Sequence, residues 1–353
     1  MTPPLLHDRL RIAESPAEAS MYELGRALVA DAGLGPDEIL WDADEVLWDW
    51  AVPFGRLLTV SPKVVFGNYG HREWIALRPG MIGLLTGLHD GAVHAGRDPW
   101  MRIWTAGYPW RIARIIREIP ALGALLGPGL LPGVDSEALA SHPRLVARGD
   151  LVRVILRLLD PREEPAVLAE LPVHVRALVA RQVREQPGHG GFKLPEIAAV
   201  AGKHEVARAR ILVDDTRKNL DWFTATVADG PAPRTGVWVR SPTPRVLFGK
   251  VPNSYWFRPD RWLSALSHAL VPAIGLALGR AASLAGQVVE ASPIADDDAS
   301  LGQLGFPSAS RSPVVFAVDI PNRVFWDEWF GPMKAVKRAF KARRRTERRS
   351  AGS

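Results

Sequence analysis

The stretch that decides the fold is Ile39-Leu40-Trp41-Asp42-Ala43-Asp44-Glu45-Val46-Leu47-Trp48. Three large apolar residues run without alternation into acids, the form of a parallel strand that is covered on both faces and ends at the functional edge of its sheet. Two further segments share it: Met101-Arg102-Ile103-Trp104-Thr105, and Ala209-Arg210-Ile211-Leu212-Val213-Asp214-Asp215. Helical patterns lie between and after them, at Met81 to Leu88 behind the turn Arg78-Pro79-Gly80, at Trp110 to Ile119, at Leu194 to Ala201 behind a glycine-rich loop, and from near Arg217 through Phe223. Strands alternating with helices predict an α/β fold, a Rossmann-like, mostly parallel sheet with helices on both faces.

On extended backbone, side chains two apart project to the same side, so Asp42 and Asp44 finish together at a strand terminus. Asp214 and Asp215 finish another. Ligands of an open α/β sheet bind at that carboxyl edge. Carboxylates so close repel unless a cation sits between them or one keeps its proton. Several of them on one edge, in a chain with no cysteine, describe a hard-cation site of Mg2+ type. The missing cysteines also exclude disulfides, thiolate zinc sites, iron–sulfur ligation and thiol nucleophiles.

Four segments in this order resemble the motifs of the haloacid dehalogenase superfamily, and the first resembles its magnesium-dependent phosphatase branch, whose pattern is Asp-x-Asp-x-Thr-Leu-Trp. This chain has Asp42-Ala43-Asp44-Glu45-Val46-Leu47-Trp48, with Val46 at the threonine position. Thr105 in RIWTAGYPW stands for the second motif, Lys193 in HGGFKLPEIAAV for the third, and Asp214-Asp215-Thr216-Arg217-Lys218-Asn219 for the fourth. The resemblance covers Ile39 to Ala225 outside a helical insertion. It implies an Mg2+-dependent phosphomonoesterase with Asp42 as nucleophile, Asp44 as general acid and base, Thr105 donating to a phosphoryl oxygen and Lys193 supplying positive charge. It further implies that Mg2+ is held by Asp42, the backbone carbonyl of Asp44, and Asp214 and Asp215, with Asn219 orienting the acidic loop. The substrate would be a phosphorylated small molecule or phosphoprotein. Lys203 competes with Lys193 for the third motif. Trp41 and Trp104 read as core, whereas Trp48, Trp50 and Trp110 follow strand ends and are candidates for an aromatic rim.

Composition, 47% hydrophobic and 23% charged, excludes global disorder. Residues 1–37 read as a helical lead-in and 38–240 as the catalytic domain, with 121–187 as its helical insertion. Residues 241–330 form an appended C-terminal region without an assigned role, including a Ser/Asp/Gly/Pro-rich run from Ala291 to Pro313, and 331–353 a basic amphipathic tail. Nine cations between Lys334 and Arg349 stand against Glu347 alone, so that stretch carries +8 of the net +6 and leaves −2 for the rest. The tail suits an anionic surface, lipid or nucleic acid, or a partner, against the plainer reading of a solvated helix beyond a packed anchor. Leu263 to Gly279 is broken by His268 and Pro272 and falls short of a membrane span, and Asp8 and Arg9 interrupt any signal-peptide core, so a cytoplasmic protein with no transmembrane span is expected. A second reading keeps the fold without turnover, as a scaffold or anchoring protein that works through its basic tail.

Overall fold

Ile39, Leu40 and Trp41 have no exposed surface, the condition of a strand covered on both faces. In the computed structural model the described residues are 5–44, 46–51, 71–105, 107, 109–128, 130, 135–185, 193–225, 234–240, 259–284, 286–292, 315–320 and 331–351. The strands are β1 Ile39–Asp42, β2 Trp48–Ala51, β3 His71–Leu77, β4 Arg102–Trp104, β5 Leu145–Val146, β6 Ile211–Asp214, β7 Thr235–Val239, β8 Val288–Ala291 and β9 Val315–Ile320. The helices are α1 Leu6–Leu10, α2 Pro16–Ala32, α3 Met81–His94, α4 Pro109–Glu118, α5 Pro120–Leu126, α6 Ser136–Ser141, α7 Arg148–Leu159, α8 Glu164–Glu170, α9 Val173–Glu185, α10 Pro195–Val200, α11 Arg217–Ala225, α12 Pro259–Ser283 and α13 Gly331–Ala351.

Six strands form one parallel sheet in the order β5-β4-β1-β6-β7-β8. The period of two along each strand divides the core into two layers. Ile39, Trp41, Ile103, Ile211, Val213 and Val237 face a cluster built with α2, α3, α4, α5 and α12. Leu40, Trp104, Val146 and Leu212 face the other, built with α7, α8, α9, α10, α11 and α13. This is the Rossmann-like α/β architecture, with helices on both faces of a parallel sheet. A separate antiparallel sheet, β2-β3-β9, takes its first strand from just after β1 and its last from Val315–Ile320.

Three boundaries differ from the sequence reading. The span 121–187 is not purely helical: β5 inside it pairs with β4, although its two residues are too few to show a periodicity. The span 241–330 is not a separate appendage, because β8 is the sixth strand of the main sheet and α12 covers it. Finally, α13 is not a free tail. Val336 is 1% exposed in the second core cluster, and Arg343 donates to Leu158 O at 2.8 Å and pairs with Glu164 at 2.9 Å. Burying a valine of this kind contributes about 1.5–3 kcal/mol. Among the described residues no helix is long and apolar enough to cross a membrane. The buried residues of α12, including Leu270, Val271 and Ile274, pack into the core instead. The glycine-rich loop before Lys193 and most of the run from Ala291 to Pro313 lie outside the described residues.

The lead-in helix α2 packs on α3 at backbone contact. A Cβ at Gly87 would fall on the carbonyl oxygen of Tyr22, so only glycine fits there. Glu18 on α2 accepts from the N–H groups of Gly80, at 2.8 Å, and Gly83, the free donors at the start of α3.

Candidate functional site

The strand order reverses direction of winding between β1 and β6, and at such a switch point the two following loops part and leave a crevice above the carboxyl ends. β1 and β6 run parallel in register, with Trp41 opposite Val213, so Asp42 and Asp214 finish side by side at this crevice. The site is therefore a direct product of pairing register.

Lys193, which precedes α10, occupies the gap. Its Nζ lies 2.8 Å from Asp42 Oδ1 and 2.6 Å from Asp214 Oδ2, and the residue is 3% exposed. Asp214 is fully buried and further held by Asn219 Nδ2, which donates to its two oxygens at 3.1 and 3.0 Å, and by Thr216 N at 2.7 Å. Asp42 accepts from Ala43 N at 2.8 Å. Asp215 completes the group: carboxylate oxygens of Asp42, Asp214 and Asp215 all lie within 4.8 Å of one another. The backbone carbonyl of Asp215 accepts from Trp238 Nε1 at 3.0 Å, which ties the acidic loop to β7.

Lys193 bridges two of the three carboxylates. Burial pushes the Asp42 carboxyl well above its ordinary value; Lys193 opposes this, while Asp214 and Asp215 add to it. Burial alone would lower Lys193, yet Asp214 and Asp42 outweigh it and hold the amine protonated, above its ordinary value. Burial and the two neighbouring carboxylates thus disfavour the ionised form of Asp42. An all-oxygen donor set of three clustered carboxylates fits a hard divalent cation. Asp42, Asp214 and Asp215 are the side chains that could hold one.

Thr105 sits one residue past Trp104, which pairs with Asp42, and so ends β4 at the same edge. It is fully buried, and its Oγ1 accepts from Gly107 N at 2.8 Å, which leaves the hydroxyl proton for another acceptor. Asp44 does not join the carboxylate group. Its side chain accepts from Arg111 Nη1 at 2.6 and 2.9 Å and from Trp48 Nε1 at 2.9 Å. Any ligand role for Asp44 is thereby confined to its backbone carbonyl, as the sequence resemblance implies.

Lys203 is removed from the competition with Lys193, because it donates to the carbonyls of Ala140 and His142. Two tryptophans read as rim candidates are core: Trp48 is fully buried and Trp110 is 7% exposed. Trp48 follows a strand end in the sequence, but the turn at Ala43 folds it back so that its indole serves Asp44. Trp41 and Trp104 are buried, as their strand positions predict. Arg111 is the residue that the sequence reading missed. It lies on the amphipathic helix behind Thr105 with the spacing of a core-facing position, and an arginine at such a position was the available signal.

No protein-family model, curated protein or solved structure matches this chain.

Proposed function

We propose that the chain is an Mg2+-dependent phosphomonoesterase of the haloacid dehalogenase type that works through an aspartyl-phosphate at Asp42. The observation that carries this reading is the convergence of Asp42, Asp214 and Asp215 within 4.8 Å at the carboxyl edge, with Lys193 between two of them. Mg2+ at the three carboxylates would screen their repulsion toward a phosphate dianion and polarise it.

Asp42 would use a carboxylate oxygen to form a bond to phosphorus as the bond to the leaving oxygen breaks, and Asp44 would give that oxygen a proton. Water would then attack the aspartyl-phosphate, with Asp44 taking its proton, to release inorganic phosphate and restore Asp42. Lys193 would hold Asp42 in place and offset phosphoryl charge. The Thr105 hydroxyl, already committed as an acceptor, is available to donate to a phosphoryl oxygen. Arg111 holds the Asp44 carboxyl that would pass the proton in each half-reaction.

The test is phosphate release from an aryl phosphate, with and without Mg2+, by wild type and Asp42→Asn. The proposal expects metal-dependent release that the substitution abolishes. Metal-dependent activity that survives Asp42→Asn would overturn the mechanism, and absence of turnover over a broad panel of phosphate esters would favour the scaffold reading.

A further inference from the structure

The cations of α13 are sorted by the fold. At about 100° per residue, Val336, Ala339, Phe340 and Arg343 centre on one side of the helix, and these are the residues that face the protein. Glu347, the one acid of this stretch, pairs with Arg343 at 3.0 Å on that same side. Lys334, Lys337, Arg338, Lys341, Arg344, Arg345, Arg348 and Arg349 occupy an arc of roughly 140° on the opposite side. All eight are exposed. Between Lys334 and Arg349 this arc holds lysine and arginine alone, over an axial length of about 22 Å.

We propose that this outward face of α13 binds the phosphate backbone of double-helical nucleic acid. A duplex presents one charge per about 1.7 Å of its axis, and a straight, uninterrupted row of cations is its electrostatic complement. Three features select this occupant. A basic amphipathic helix enters a lipid surface with its apolar side, and here that side is already buried against α7 and α8. Single strands are gripped by aromatic stacking, and the stripe offers none, since Phe340 packs toward the core with Arg344 over its ring at 5.6 Å. A protein partner would expect an apolar centre within a polar rim, and the stripe has no apolar residue. With cations only, the contact reads charge and not base sequence.

The inference is independent of the phosphatase reading and is tested without turnover. The full chain is titrated against a fluorescent mixed-sequence DNA duplex over a range of salt, beside the variant carrying Lys337→Gln, Lys341→Gln, Arg345→Gln and Arg348→Gln. Wild type should bind, with log affinity falling linearly in log salt; the variant should bind about tenfold or more weaker, with a slope shallower by about 3–4. None of the four residues faces the docked side, so the variant should melt with wild type; Lys337→Arg with Lys341→Arg should keep both affinity and slope. Absence of duplex binding by wild type at low salt, or equal binding by the glutamine variant, would overturn the proposal. So would tighter binding to phosphatidylserine-containing vesicles than to the duplex.

Discussion

Arg111 Nη1 lies 2.6 Å from Asp44 Oδ1 and 2.9 Å from Asp44 Oδ2. Arg111 is 1% exposed, whereas the Asp44 side chain keeps 24% of its surface open. The pair joins the loop after β1 to the helix after β4, the segments that follow the strand ends at Asp42 and Thr105. It holds the Asp44 side chain away from the three-carboxylate group.

On the phosphatase reading this makes Arg111 a positioning residue for the acid and base. Arg111→Met should lower kcat for an aryl phosphate by about 10- to 100-fold, the range of a misplaced general acid or base. KM should change less than kcat, the pH profile should shift, and Arg111→Lys should recover part of the loss. Steady-state kinetics at saturating Mg2+ read all three, and an effect confined to KM would rule out the role.

Metal binding is open to measurement apart from catalysis. A cation held by Asp42, Asp214 and Asp215 binds only the folded chain, so Mg2+ should raise the Tm as its concentration grows, the added stability reaching about 2.7 kcal/mol at one hundred times its Kd. Asp215→Asn removes one ligand charge, so the stability of this variant should respond weakly to Mg2+. Thermal melts that coincide with and without Mg2+ would dismiss the metal site.

Lys193 offers the converse experiment. Lys193→Met leaves Asp42 and Asp214 adjacent, buried and without their ammonium, and the loss of one partner from a buried ion pair costs about 3–5 kcal/mol. Urea unfolding in EDTA should show a fall of this size. Mg2+ should restore part of it, since a second cation then answers the same carboxylates.

A pH effect is expected away from the site. His142 Nδ1 accepts from Arg144 N at 3.3 Å, and burial, with Arg144 and Lys203 nearby, lowers this imidazole to about 4 from an ordinary 6.5. Between those values the unfolded chain binds a proton that the folded chain refuses, so stability is present above pH 6.5 and is lost as the pH falls toward 4. Chemical unfolding across this window should show the decline, and His142→Asn should flatten it. An identical slope in the variant would assign the decline to other groups.

Much of the site was legible along the chain because its residues end or begin regular elements. Asp42, Thr105 and Asp214 terminate apolar strands, and Lys193 precedes a helix; such positions are local and show in a short window. For Arg111 the sequence showed only a core-facing position on an amphipathic helix; its partner lies 67 residues away, so the pairing itself was not legible. Trp48 was misread for the same reason: a residue after a strand end is at the rim only if the loop does not fold back.

The sequence by itself determined the kinds of element and the chemistry at their ends. Alternation and apolar runs depend on neighbours within a few residues, and these are preserved wherever the chain goes. Tertiary structure alone decided which ends meet. That β1 lies beside β6 in register is a non-local choice, and it is what brings Asp42, Asp214 and Lys193 into one charge group. The same holds for the short strand β5 and for β8, whose few residues carry too little pattern to announce a place in the sheet. It holds equally for α13, where packing against α7 consumes the apolar side of an amphipathic helix and leaves a row of cations on its exposed side.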